Sequence, residues 1–152
     1  LDELIGDMFE TMHRANGIGL SAIQIGIPLR LFVIEAHIDS SNFHFRGVFI
    51  NPIIKNEWGD PIKYSEGCLS IPHLIGAVER KQNIQLEYYD EKWGLHTEDF
   101  SKFKARIIQH EYDHLGGILY VDRLNTMWKE AFAESLTVIK DKKIEVNYLI
   151  KR

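Results

Sequence analysis

Arg106 to His114 reads Arg-Ile-Ile-Gln-His-Glu-Tyr-Asp-His, and the His-Glu-x-x-His within it constrains the fold more than any other stretch. On a helix, residues i and i+4 project from one face, so His110 and His114 can bind a single metal ion together. Glu111 then lies beside that ion, where it can exchange protons with an activated water. Ile107, Ile108, Tyr112 and Leu115 place apolar side chains around the histidines, and Gly116-Gly117 supplies a helix stop. The chain must therefore build a core around a helix that keeps one face open to a ligand.

Composition limits the classes open to such a chain. Its 152 residues suit one domain, read here as spanning 1–152, and suffice for a buried core. A hydrophobic share of 45% with 26% charged residues is that of a soluble globular protein. The net charge of -4 provides no basic field for DNA. No apolar run reaches the roughly eighteen residues of a membrane span, so no membrane partner is expected. The chain opens at Leu1, and no signal peptide is visible. Cys68 is the single cysteine, which excludes an internal disulfide and suits a reducing compartment.

In chain order, residues 1–16 carry Leu1, Leu4, Ile5, Met8, Met12 and Ala15 at helical spacing, with Gly17 closing the helix. The glycine-rich stretch 17–26 is not a dinucleotide fingerprint, because its third glycine is misplaced and no strand precedes it. Strands are expected at 29–36 and at 48–55, the second marked as an edge or a bend by Pro52. The polar stretch 37–46 between them reads as a surface loop in which His37 and His44 are solvated. A turn follows around Gly59, then an extended piece at 61–65, and 66–72 breaks regular periodicity. Strands are expected at 77–78 and 84–89, and the turn at 90–94 leads into another at 95–100. Ser101 stands as the N-cap of the metal helix. A further helix over 127–139 and a closing strand over 144–150 end the chain. The expected class is α+β, with short, mostly antiparallel strands around a central metal-binding helix, then a C-terminal helix and closing strand.

A catalytic site of this type needs a third protein ligand and an open position. Cys68 offers a thiolate. Glu130 and Glu134 are rivals, since a glutamate on the following helix is the third ligand in many His-Glu-x-x-His peptidases, and spacing alone leaves the choice open. A Cys-His nucleophile pair is disfavoured, because His110 and His114 cannot easily bind metal and activate a thiol at once.

Three blocks stand in order: Gly17-Ile18-Gly19-Leu20-Ser21-Ala22-Ile23-Gln24, Glu66-Gly67-Cys68-Leu69-Ser70, and Gln109-His110-Glu111-Tyr112-Asp113-His114. Together they resemble the three signature motifs of the peptide deformylases, over a match running from Leu1 to about Leu124. The resemblance implies that Cys68, His110 and His114 hold one divalent ion per chain and that Glu111 is the general acid/base. It implies Fe2+ in the cell, with Zn2+, Ni2+ or Co2+ as substitutes; a thiolate and two imidazoles suit several of these. The reaction implied is removal of the formyl group from the N-terminal formyl-methionine of new polypeptides, releasing formate. Charge growing on the formyl oxygen would meet the Gln24 amide and the Leu69 backbone N–H. N-formyl-methionyl nascent peptides are the implied partners, with transient ribosome association and a cytoplasmic location.

By the same resemblance, the backbone of Gly17, Ile18 and Gly19 pairs with an extended peptide, the glycines clearing space for its approach. Tyr64, Phe103 and Ile107 are expected to wall the methionine pocket, each of them also readable as core. Glu66 and Gly67 border the same site, and Glu66 is expected to anchor the cysteine loop by hydrogen bonding. The chain departs from the family at Ser21, where alanine is usual, and at Ile75, where many members carry a peptide-holding arginine. Ser101-Lys102 stands where Asp-Gly is frequent, and the family segment preceding the first helix is expected to be missing. Two other readings remain for the residues: a zincin-like metallopeptidase using Glu130 or Glu134, and an inactive metal-bearing protein that binds peptide N-termini.

Overall fold

The structure, a computed structural model, describes residues 1–38, 43–141 and 145–146. Its elements are α1 (Asp2–Arg14), β1 (Gly19–Ser21), β2 (Leu31–Ile38), β3 (Phe43–Trp58), β4 (Ile62–Cys68), β5 (Ile71–Arg80), β6 (Asn83–Tyr89), β7 (Leu95–Ser101), α2 (Lys102–Leu115) and α3 (Thr126–Lys140). A five-stranded sheet runs in the order β1-β2-β3-β6-β7, and β4 and β5 form a separate two-stranded hairpin. Every pairing is antiparallel. The expected α+β class is the one observed. The expected closing strand at 144–150 falls almost wholly outside the described residues.

The sheet is apolar on both faces because a helix covers each. Along β2, Leu31 and Val33 pack with Ile5, Met8, Phe9 and Met12 of α1. The alternate residues Phe32, Ile34 and Ala36 pack with Ala105, Ile107 and Ile108 of α2. A strand buried on both faces reads as an unbroken hydrophobic run, which is how β2 appears in the sequence. On the α2 side, Phe32 and Phe49 stack with ring centroids 4.8 Å apart. A third cluster, including Ile71, Val78, Tyr120, Leu124 and Phe132, fastens the β4–β5 hairpin to α3 and to the short 3-10 turn at Tyr120–Arg123.

Local chemistry sets the helix ends. α1 stops in a Schellman arrangement: Asn16 takes a left-handed φ of 55°, Asn16 N–H donates to His13 O, and Gly17 N–H donates to Met12 O. The left-handed residue is thus Asn16, and Gly17 follows it. α2 ends the same way, with Gly117 at φ 73° and Ile118 N–H donating to Asp113 O. Ser101 does occupy the N-cap position of α2, but its hydroxyl makes no capping bond. At α3 the Asn125 side chain accepts from Trp128 N–H.

One expectation needs correction, and an alternative left open at Pro52 is resolved. The polar stretch 37–46 is mostly strand: β2 runs to Ile38, β3 begins at Phe43, and His37 pairs with His44 in register. Both histidines are nonetheless exposed, because on these outer ends the pleat turns polar side chains to solvent. Pro52 lies in an interior strand and not at an edge. The register with β6 shifts between Ile50 and Ile53 and Asn51 has φ 49°, while Asn51 N–H donates to Arg30 O in continuation of the β2–β3 register. A bulge tolerates the missing proline N–H that a regular ladder would not.

The stacked Phe49 is 1% exposed and touches the rings of Phe32, Phe45, Tyr88 and Phe100. Phe49→Ala should lower unfolding free energy by about 3–5 kcal/mol, read as a shift in the urea midpoint at unchanged slope.

Candidate metal centre

Helix α2 crosses the sheet with His110 and His114 directed at the β4–β5 hairpin, whose turn brings up Cys68. The ligand atoms of Cys68, His110 and His114 lie within 4.8 Å of one another, the one such His/Cys/Asp/Glu group among the described residues. Cys68 Sγ is 3.3 Å from His114 Nε2. Glu130 and Glu134 lie exposed on α3 and take no part in the group. Of the candidates that spacing left open, only the cysteine lies beside the two histidines.

The electrostatics of the group suit a cation. Burial alone would push the Cys68 thiol up, but hydrogen bonds with His110 and His114 outweigh it and hold the thiol at about 6. At neutral pH the sulfur is thus mainly thiolate, the form that ligates metal. Burial would lower His110, yet its contacts with Cys68 and Glu66 raise it well above the usual imidazole range. In the protein alone, a proton on His110 balances the thiolate and the nearby carboxylates. A divalent ion supplies the same compensation with more charge, so the donor set fits one.

Behind the ligands is a buried ionic network. Glu66 Oε2 lies 2.9 Å from His110 Nδ1, which leaves Nε2 of that ring for the metal side. Arg80 grips Glu66 through Nε at 2.7 Å and Nη2 at 2.9 Å, and its Nη1 donates to Asp113 Oδ2 at 2.8 Å. Arg106 Nη1 donates to Glu66 Oε1 at 2.7 Å, and Nη2 donates to Ile62 O. Asp113 is closed on its other side by Arg123. Burial would raise the Glu66 carboxyl, but the hydrogen bonds from Arg80 and His110 outweigh it and bring it to about 2. Glu66 therefore spends its carboxylate on His110 and the two arginines, anchoring β4 to α2. Sequence reasoning missed Arg80, Asp113 and Arg123. The available signal was Asp113 itself, a carboxylate in a helix whose other faces are apolar or ligating.

Gln24 is fixed in the short 3-10 turn Ala22–Ile25: its Oε1 accepts Ser21 N–H at 2.8 Å. That turns Nε2 toward the centre, 3.0 Å from Ser70 Oγ and 3.6 Å from Cys68 Sγ. Leu69 follows the ligand cysteine at the hairpin turn. Glycine at 17 and 19 clears room for the protein's own groups. A Cβ on Gly17 would come 2.7 Å from Leu69 Cδ1, and one on Gly19 would come 2.3 Å from Glu111 Oε1.

A cleft of about 1010 Å³ opens over the centre, and it brings together Gly17, Ile18, Gly19, Gln24, Tyr64, Glu66, Gly67, Cys68, Leu69, Phe103, Ile107, His110 and Glu111. His114 lies deeper, 4% exposed. Tyr64 is exposed at the rim, with Arg106 5.7 Å above its ring. Phe103 packs edge-on to Phe43. Ile107 belongs mainly to the core, offering the cleft one edge. Ile75 stands at the lip with its side chain largely in solvent.

Comparison with known proteins gives a consistent picture. A family model described as polypeptide deformylase matches residues 1–130. A peptide deformylase of Cytophaga hutchinsonii is 43% identical over 151 residues, covering 98% of this chain and 82% of that one. One from Chlorobaculum tepidum is 40% identical over 153 residues, covering 100% of this chain and 81% of its own. Among solved structures, a peptide deformylase from Synechococcus elongatus in complex with actinonin is 38% identical at a TM-score of 0.80, covering 88% and 73% of the two chains. The peptide deformylase of Thermus thermophilus is 37% identical at a TM-score of 0.80, covering 93% and 81%.

Replacing Arg80 by methionine leaves two buried carboxylates facing each other. The variant should lose about 3–5 kcal/mol of stability. Metal affinity should fall roughly 10- to 100-fold, measured by competition with a chromogenic chelator, because His110 loses the group that orients its ring holder.

Proposed function

From the premise that the chain belongs to the peptide deformylase family, we propose that Cys68, His110 and His114 are its metal ligands and Glu111 its general acid/base. The protein is a metal-dependent enzyme that removes the formyl group from the N-terminal methionine of new polypeptides. The observation that carries the residue assignment is the meeting of one thiolate and two imidazoles under an open cleft, with Glu111 on the same helix turn.

A divalent ion held by these ligands supplies Lewis acidity, which lowers the pKa of a water and polarises the formyl oxygen. Glu111 takes the proton that the attacking water sheds and delivers it to the departing amine. The Gln24 amide and the Leu69 backbone N–H donate to the oxygen on which negative charge grows. Gln24 suits this role because Ser21 N–H already fixes its other end. Losing one such donor costs on the order of a hundredfold or more in rate.

The peptide is proposed to add to β1, which among the described residues pairs only with β2 and leaves its other edge at the cleft. The backbone of Gly17, Ile18 and Gly19 and that of Gly67 would then flank it, with Tyr64, Phe103 and Ile107 around the methionine side chain. Glu66 supports the site by holding His110. We propose Fe2+ as the ion in the cell, with Zn2+, Ni2+ or Co2+ able to replace it. The soft thiolate with two imidazoles supports an ion of this series over Mg2+ or Ca2+. Strands β2 and β3 contribute to two hydrophobic clusters at once, which supports a single catalytic domain over 1–152. No helix among the described residues is long and apolar enough to cross a membrane. A cytoplasmic site with transient ribosome contact follows from the substrate, which exists where polypeptides are made.

Formate release from a formyl-Met peptide by anaerobically prepared, nickel-loaded protein is the direct test. Turnover is expected, and Glu111→Gln should lower kcat on the order of a hundredfold to ten-thousandfold with metal retained. Cys68→Ala should lose the metal. Full metal occupancy in Cys68→Ala would remove the cysteine from the ligand set. A metal-loaded wild type that releases no formate would instead favour a peptide-binding role.

A further inference from the structure

β1 meets Glu111 with two alternate residues. Strand geometry sends the side chains of 19 and 21 to one face and that of Leu20 to the other. Leu20 accordingly joins the α1 core. On the opposite face, Gly19 leaves room for one carboxylate oxygen, Oε1. Ser21 reaches the other: its Oγ is 3.0 Å from Glu111 Oε2 and 2.9 Å from Glu111 O. The serine side chain is fully buried. The sequence gives no hint of this contact, because 90 residues separate the pair.

We infer that the Ser21 hydroxyl is a positioning group for Glu111, holding its carboxyl in one place through both halves of the proton cycle. This deepens the deformylase reading above and rests on it. A hydroxyl has one hydrogen to give and lone pairs to accept with. While Glu111 is a carboxylate, the Ser21 hydrogen goes to Oε2. When Glu111 carries the proton taken from water on its other oxygen, where it can pass to the amine, Ser21 still donates to Oε2. The tether is thus the same in both states, and Glu111 O stands within reach of the same hydroxyl. Gly19 closes the remaining side, and the carboxyl has little freedom to swing out of line with the water or the leaving amine. An alanine at 21 keeps the packing and loses the tether.

The alternative is a buried hydroxyl that merely satisfies a helix carbonyl, and two measurements separate these roles. Kinetics on nickel-loaded enzyme with a formyl-Met peptide should show Ser21→Ala lowering kcat roughly three- to tenfold, the equivalent of one hydrogen bond, with KM unchanged. A double-mutant cycle by thermal melting of the metal-free protein should show Ser21→Ala and Glu111→Ala non-additive by about 2–4 °C. The helix carbonyl survives in Glu111→Ala, so additivity there would mean that the hydroxyl serves the carbonyl alone and would overturn the inference. A wild-type kcat in Ser21→Ala would overturn it as well. Absence of turnover in the metal-loaded wild type is a different result, since it would remove the deformylase reading and this inference with it.

Discussion

Arg80 lies inside the protein at 4% exposure with a carboxylate on either side, Glu66 on its own hairpin and Asp113 on α2. Everything at the metal centre depends on that bridge. It clamps the strand carrying Cys68 to the helix carrying both histidines, and through Glu66 it sets the orientation of the His110 ring. Buried ion pairs are poor sources of net stability, because removing the charges from water costs about as much as their attraction returns. What the arrangement provides is definition. Guanidinium forks and carboxylates fit in few ways, and the geometry they fix is passed directly to the ligands.

Around that bridge the fold uses each secondary element twice. Helix α2 buries Ile107, Ile108 and Ala105 in the sheet while turning His110, Glu111 and His114 toward the cleft. β1 gives Leu20 to the α1 core, Gly19 and Ser21 to Glu111, and its free edge to the cleft. The glycines at 17 and 19 answer to the protein's own side chains, since Leu69 and Glu111 occupy the space a Cβ would need. That is a tighter requirement than leaving room for a peptide, and it is met before any substrate arrives.

Much of this could be read from the chain alone, because it depends on local periodicity. The amphipathic stripe of α1, the spacing of His110 and His114, the double glycine after α2 and the apolar run of β2 are all short-range patterns with one physical meaning. The errors came where a local pattern had two solutions. Residues 37–46 are polar enough for a loop, yet exposed strand ends are equally polar. Pro52 signalled an edge or a bend, and the register shift between Ile50 and Ile53 makes it an irregularity within an interior strand. Ser101 sits at a cap position without using its hydroxyl.

By itself the sequence determined the helix that offers two imidazoles and a carboxylate, the α+β class, and, through three ordered motifs, the resemblance to a family. Those features lie in residues at most a few positions apart, where backbone geometry alone sets direction. Tertiary structure decided which distant group meets the two histidines, Cys68 and not Glu130 or Glu134, and how the charges there are balanced by Arg80, Arg106 and Arg123. It also decided that Ser21 in β1 would touch Glu111. Such contacts join residues tens of positions apart, and nothing local encodes them. They exist because three hydrophobic clusters bring the sheet, the hairpin and the helices together.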